Sequence, residues 1–429
     1  MGFTLIILLI GVIIVLSLLL KIDKGMNTLY IFKEFLLVSF GLWYIIPISL
    51  SLLGYWYVFE YIVDLPLTDY IELACFEVWF YAIILILFSA TKRIRIPSLV
   101  SFVDSPNVNK ILVPCMIAFV VGLLIYNFLF RFDYLEMNEI ENTEGGIYFI
   151  LGVFNFFFLS FLWTSIVKER NGSKYYFFIL IILANITYFV LAGYRIYLLA
   201  VIWLLYFTLR EKILSKKRYI LPLTGAGLGA LLLLPMLANI RVGEEDTGAG
   251  NKEQMVEMVF EHLNIKLNTV AYGSVLVEND GIGFAGTTPY VGSIFKFIPR
   301  TIWEDKPTPT SFNSEPSGIP SRRAAYLISG SHGTYNVGVA PGLISLWHGY
   351  YSVVLAILLN VLLLRIIANS LRSKSILMNS IGFSLFYFPQ LVMTPAPGDA
   401  IIQRLLEILL IFVLLIFSGF LQLTKKENY

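Results

Sequence analysis

The side chains best suited to chemistry in this sequence are a few cations set against apolar stretches: Arg195, Arg241, Arg300, Lys306, Arg322, Arg323 and Arg404. Arg195 stands at the break between two apolar runs. Arg300 and Lys306 lie six residues apart around Trp303, in Phe297-Ile298-Pro299-Arg300-Thr301-Ile302-Trp303-Glu304-Asp305-Lys306-Pro307. Arg322 and Arg323 are adjacent, and Arg404 falls in the first turn of an apolar run that opens after Asp399. A guanidinium offers a planar fork of donors that fits the oxygens of phosphate or pyrophosphate in pairs, so a phosphorylated ligand is its natural partner. The plain alternative is that each cation reaches lipid headgroups or a nearby acid. Glu407, three residues after Arg404, would share its helical face. No acid lies within one turn of Arg195, which favours a ligand there.

Proton acceptors are fewer. His332, in Ser331-His332-Gly333, titrates in the right range for a general base and is the first choice, against the plain reading of an inert loop histidine. Glu77, about two turns inside an apolar run, is the second choice; a carboxyl placed there either serves function or pairs with a neighbouring helix. His348, beside Trp347, reads as a packing residue, and Asp399 as a helix N-terminal cap. Cys75 and Cys115 sit singly in apolar runs and read as small buried residues, with no spacing that would hold a metal or form a framework of disulfides. No P-loop, Gly-rich dinucleotide turn, HExxH or GxSxG signature is present. Nor does any DxD pair stand where it would hold a divalent metal on a nucleotide sugar. The expectation is chemistry without metal or cofactor, drawing on a donor that arrives already activated.

The elements that must position these residues are membrane helices. Of the 429 residues, 58% are hydrophobic and 14% are charged, whereas a soluble domain carries about 25% charged residues. Taking roughly 20 apolar residues per crossing, the sequence predicts an all-α polytopic membrane protein with eleven spans. They fall at about 3–20, 29–53, 70–90, 111–130, 147–167, 175–193, 195–209, 219–238, 340–364, 375–393 and 400–422. The sixth and seventh are separated so narrowly that they could form one re-entrant hairpin. Lys and Arg fix the orientation. One set of connections holds nineteen of them, and the alternate short connections hold only Arg131, Arg195 and Arg404. The C-terminus is therefore expected in the cytoplasm and the N-terminus outside. Three regions follow: spans one to eight over 1–238, a long external connection over 239–339, and spans nine to eleven over 340–429. Within the connection, Met255, Val256, Val259, Phe260, Leu263 and Leu267 predict an amphipathic helix over about 251–277. The rest of it, rich in Gly, Pro and Ser, is expected to be mostly irregular. A loop of this length in a compact bundle usually serves function.

Four places in the chain together resemble the Wzy-type O-antigen polymerases, and the pattern is similar to that of the enterobacterial common antigen polymerases. They are Ala192-Gly193-Tyr194-Arg195, the stretch Phe297 to Pro307, Ser331-His332-Gly333 ahead of Gly338-Val339-Ala340-Pro341-Gly342, and Asp399 to Arg404. The resemblance covers roughly 190–410 and departs from the relatives at Arg300, where a neutral residue can stand. It implies a GT-C-like architecture in a bacterial inner membrane and a metal-independent glycosyltransferase. Such an enzyme transfers a growing chain from its undecaprenyl-pyrophosphate onto an incoming lipid-linked oligosaccharide repeat unit. On that reading Arg195, Lys306 and Arg404, helped by Arg300 and flanked by Arg322 and Arg323, hold the pyrophosphate, while His332 or Glu77 accepts the proton. Partners would be the lipid-linked oligosaccharide, membrane lipids, a polysaccharide copolymerase that sets chain length and a flippase; no nucleic acid is expected. An O-antigen ligase uses the same donor chemistry and remains an alternative, as does a flippase or secondary transporter. The long loop and the absence of internal repeats stand against transport.

Overall fold

The computed structural model describes residues 2–22, 27–53, 66–91, 100–106, parts of 108–125, 154, 157–165, 269–295, 298, 302–307, 323–327 without 325, 340–386 and 396–425. Helix dominates them. In chain order the elements are α1 (Gly2–Lys21), α2 (Asn27–Phe40), a π-helical turn (Gly41–Ile45), α3 (Ile46–Leu52), α4 (Leu67–Thr91) and β1 (Val100–Asp104). After these come α5 (Thr269–Asp280), α6 (Thr288–Ile294), α7 (Pro341–His348), α8 (Tyr350–Arg372), α9 (Ile376–Phe386), α10 (Gly398–Phe417) and β2 (Leu421–Lys425).

Among the described residues, four helices are long and apolar enough to cross a membrane: α1, α4, α8 and α10. The start of α4 and both ends of α10 have legible reasons. α4 follows Pro66 and carries Asp69 in its first turn, where an acid suits the positive end of the helix dipole. α10 follows Pro397 and carries Asp399 within its first turn, one residue inside the helix and not in front of it as expected of a cap. It stops at Gly419, whose φ of +70° is a conformation that side chains resist. The expected span over 29–53 is helical but changes pitch at the π-turn.

Two expectations are corrected. The run 340–364 is not one helix: Gly349 adopts φ +126°, so α7 ends at His348 and the crossing helix begins at Tyr350 and runs on to Arg372. The hydropathy of the run hides that break, because a glycine is neutral on any apolar scale yet free in backbone geometry. The all-α expectation also gives way at one place. β1 and β2 pair antiparallel, from Val100 opposite Lys425 to Asp104 opposite Leu421, so the helix expected to reach 422 ends at Phe417. In Leu421-Gln422-Leu423-Thr424-Lys425 the apolar residues alternate, which suits a pleated strand and not a helical stripe. The expected spans over 175–193, 195–209 and 219–238 lie outside the described residues, as does most of 251–277.

The chain divides into two compact units. The first is Met1–Ser98, Leu263–Arg372 and Met393–Leu410; the second is Leu99–His262, Ser373–Val392 and Ile411–Tyr429. In the second, Asp104 at the end of β1 accepts hydrogen bonds from the Ser375 hydroxyl and the Ile376 amide, capping α9 from a distant strand. Trp163 meets Phe383 edge-on at 4.2 Å. In the first unit α1 packs along α4. Their approach is set by Gly11, where a Cβ would fall 2.9 Å from Val78 and 3.2 Å from the Trp79 indole nitrogen. The Trp79 indole N–H donates to the Ile7 carbonyl at 3.2 Å, which ties the two helices across that contact. At the other end of α4, Arg365 of α8 donates to the Phe88 carbonyl and the Thr91 hydroxyl. Its guanidinium stands 4.6 Å from the Phe88 ring centroid, so one cation covers a carbonyl that the helix end leaves open.

Candidate functional site

The polar interior of the first unit is built where α4, α5, α6, α7, α8 and α10 meet. Glu77 is fully buried in the middle of α4. Its Oε1 accepts the backbone N–H of Leu343 at 2.6 Å. Leu343 is the third residue of α7, one of the positions whose N–H has no partner inside its own helix, so Glu77 caps α7 from another element. Gly342 makes this possible, since a Cβ there would lie 2.7 Å from Oε1. One oxygen of the carboxyl expected as a second-choice base thus holds α7, while Oε2 has no hydrogen-bond partner.

At the opposite end of α7 is His348. It is fully buried, and neither ring nitrogen has a hydrogen-bond partner. Its ring meets Tyr290 of α6 edge-on, with centroids 5.7 Å apart. The Tyr290 hydroxyl hydrogen-bonds Ser352 in the first turn of α8, and the start of α10 closes over it: a Cβ on Gly398 would fall 2.6 Å from that phenol oxygen. The next residue, Asp399, is also buried. Burial pushes the Tyr290 phenol above its ordinary range, the Ser352 bond pulls the other way, and the neighbouring charges of Asp399 and Tyr351 add to the rise. Asn360 of α8 holds the approach to α10, its amide donating to the Ala396 carbonyl at 2.8 Å and accepting the Ala396 N–H at 3.0 Å. An imidazole, a phenol, a hydroxyl and a carboxyl from four elements therefore share one buried cluster.

The cations fall around it differently from one another. Arg404 lies five residues beyond Asp399 on α10, about 7.5 Å of helical rise. It is 2% exposed, and its Nη1 pairs with Glu407 Oε2 at 2.5 Å. Gln403 donates to the other oxygen of Glu407 at 2.9 Å. Lys306 is buried too, its Nζ donating to the Ile298 carbonyl, so the segment carrying Trp303 folds back on itself. Arg323 places Nε and Nη2 on the two oxygens of Asp280, at 3.2 and 2.7 Å, and Trp347 donates its indole N–H to the same carboxyl at 3.3 Å. This knot seals the core formed by Tyr272, Leu276, Ala285, Ala324, Ile344 and Trp347. Arg195, Arg300, Arg322 and His332 lie outside the described residues.

His348, Tyr290 and Ser352 were not legible as a site. A histidine beside a tryptophan in an apolar run looks like packing, and Tyr290 is one tyrosine among 25. The usable signal was Gly349: a glycine directly after Trp347-His348 allows a chain break that turns the imidazole inward. No protein-family model matches the chain, and neither a curated protein nor a solved structure matches it.

Proposed function

We propose that this chain is a membrane-embedded glycosyltransferase that joins polyprenyl-pyrophosphate-linked oligosaccharide repeat units into a polymer. The observation that supports it best is a guanidinium, Arg404, buried within two turns of the start of a crossing helix and beyond the buried cluster of His348, Tyr290, Ser352 and Asp399. A cation at such a depth is costly unless it is partnered or used, and Glu407 partners it here, so its part in the reaction is to share that pairing with the leaving group. In the reaction the acceptor hydroxyl attacks the anomeric carbon of the growing chain. The bond from that carbon to the pyrophosphate oxygen breaks, and its electron pair leaves with the lipid pyrophosphate. Arg404, Lys306 and Arg195, helped by Arg300, Arg322 and Arg323, offset the charge that grows on the leaving group. The acceptor's proton passes to His332 or to Glu77. Glu77 keeps α7, and with it His348, in place.

The test is reconstitution. Purified protein given lipid-linked repeat units, with no nucleotide and no added metal, should yield a ladder of lengthening chains. A single product size would point to a ligase, movement of the lipid-linked unit without any new bond to a transporter, and a strict need for divalent metal would sink the mechanism. Arg195→Ala and Lys306→Ala should abolish the ladder while the protein still inserts normally; full activity in both would refute the pyrophosphate assignment.

A further inference from the structure

The turn between α5 and α6 carries partly exposed apolar residues, with the Phe284 ring stacked on Trp347 at 6.1 Å between centroids. Ile282 is 44% and Phe284 45% exposed, although Gly283 between them is tied down by its N–H to the Leu346 carbonyl. The Ala285 N–H does the same to the Trp347 carbonyl. These bonds press the turn against the end of α7, close enough that a Cβ on Gly283 would stand 4.0 Å from the Cα of Gly349. The positive φ at Gly281, Gly283 and Gly286 shapes the turn for that approach.

The chain that follows Gly349 is the crossing helix α8, and it opens with Tyr350, 70% exposed, and Tyr351, 50% exposed. From Tyr350 an exposed apolar stripe continues through Val354, Leu358 and Leu362 at intervals of four residues. A stripe at that spacing on a helix apolar enough to cross a membrane is its lipid-facing side. Tyrosines at its first turn belong at the membrane–water boundary, where the ring is apolar and the hydroxyl wet. Gly283, between Ile282 and Phe284, lies against Gly349, the residue before Tyr350, so the exposed turn adjoins the start of that stripe.

We propose that the Gly281–Gly286 turn is an interfacial membrane anchor, with Ile282 and Phe284 inserted into the headgroup–acyl boundary of the leaflet that Tyr350 reaches. The partner is the phospholipid surface itself. Because the same turn donates to the carbonyls of Leu346 and Trp347, the anchor holds the C-terminal end of α7, and His348 with it, at a set depth. The proposal does not depend on which reaction the cluster performs.

Spin labels test it in the full chain, in nanodiscs of mixed zwitterionic and anionic phospholipid. With Cys75 and Cys115 replaced by Ala, single cysteines at positions 282 and 284 are labelled, and collision rates with oxygen and with a water-soluble nickel chelate are measured. Position 358 serves as the lipid reference and position 305, on an exposed aspartate, as the water reference. The oxygen-to-nickel ratio at 282 and 284 is expected to exceed that at 305 several-fold and to approach that at 351. A ratio equal to that at 305 would place the turn in water and overturn the proposal. Loss of both collisions together would show that a second copy or another protein covers the turn, and would overturn it equally.

Discussion

Capping of α7 by Glu77 can be tested through the glycine that makes room for it. In Gly342→Ala the new Cβ would stand 2.7 Å from Oε1 and 3.0 Å from the Phe76 ring, so the carboxyl must leave the Leu343 N–H it now accepts at 2.6 Å. A buried N–H left without an acceptor costs about 1–3 kcal/mol. Alanine in place of glycine returns up to about 1 kcal/mol of helix propensity. The single substitution should therefore destabilise by roughly 0.5–2 kcal/mol. Glu77→Ala destabilises more, by losing both the cap and the packing of a fully buried side chain. In that background the nearest obstacle is gone, and Gly342→Ala should then be neutral or stabilising by up to about 1 kcal/mol. The coupling energy of the cycle should come out at roughly 0.5–3 kcal/mol. Unfolding of the four proteins in mixed micelles of mild and denaturing detergent gives the four free energies. Equal costs for Gly342→Ala with and without Glu77 would show that the carboxyl does not cap α7.

Removing one member of the buried Arg404–Glu407 pair should cost about 3–5 kcal/mol. The double variant Arg404→Met/Glu407→Leu should recover most of that stability yet make no polymer, and a double variant as active as the parent would remove Arg404 from the proposed reaction. Asn360→Leu loses both bonds to Ala396, and hydrogen exchange at the Ala396 amide should quicken by roughly tenfold or more; unchanged exchange would mean that another group holds the start of α10. Tyr290 bears on pH. Its phenol is pushed up when folded, whereas in the unfolded chain it ionises near pH 10, as a free tyrosine does. The stability it contributes is whole below about pH 10 and is lost as pH rises from there towards the folded value. Compared with Tyr290→Phe, the parent should lose stability more steeply above about pH 10, and parallel curves would count against burial of that hydroxyl.

Much of the architecture was legible because membrane helices are specified locally. Phe3 to Leu20 contains no charge, so α1 forms where hydropathy alone puts it. Pro66 and Asp69 open α4, and Pro397 and Asp399 open α10, as their backbone limits and charges require. The i,i+3 spacing of Arg404 and Glu407 already made their pairing the plain expectation, and the pair forms.

What the sequence determined by itself was composition and part of the span pattern: a chain of membrane character, the approximate places of α1, α4 and α10, and which few charges interrupt them. Tertiary structure decided what those charges do. Glu77 meets Leu343, Asn360 meets Ala396, and residues 100–104 meet 421–425, each across a separation that no local pattern encodes. Whether His348 packs or stands without a hydrogen-bond partner turned on a glycine's backbone angle and on the helices closing around it. The physical reason is one of range. Transfer of a segment into lipid is a sum over neighbouring residues, whereas a capping bond or a buried polar cluster exists only once distant backbones have been packed to within about 3 Å of each other.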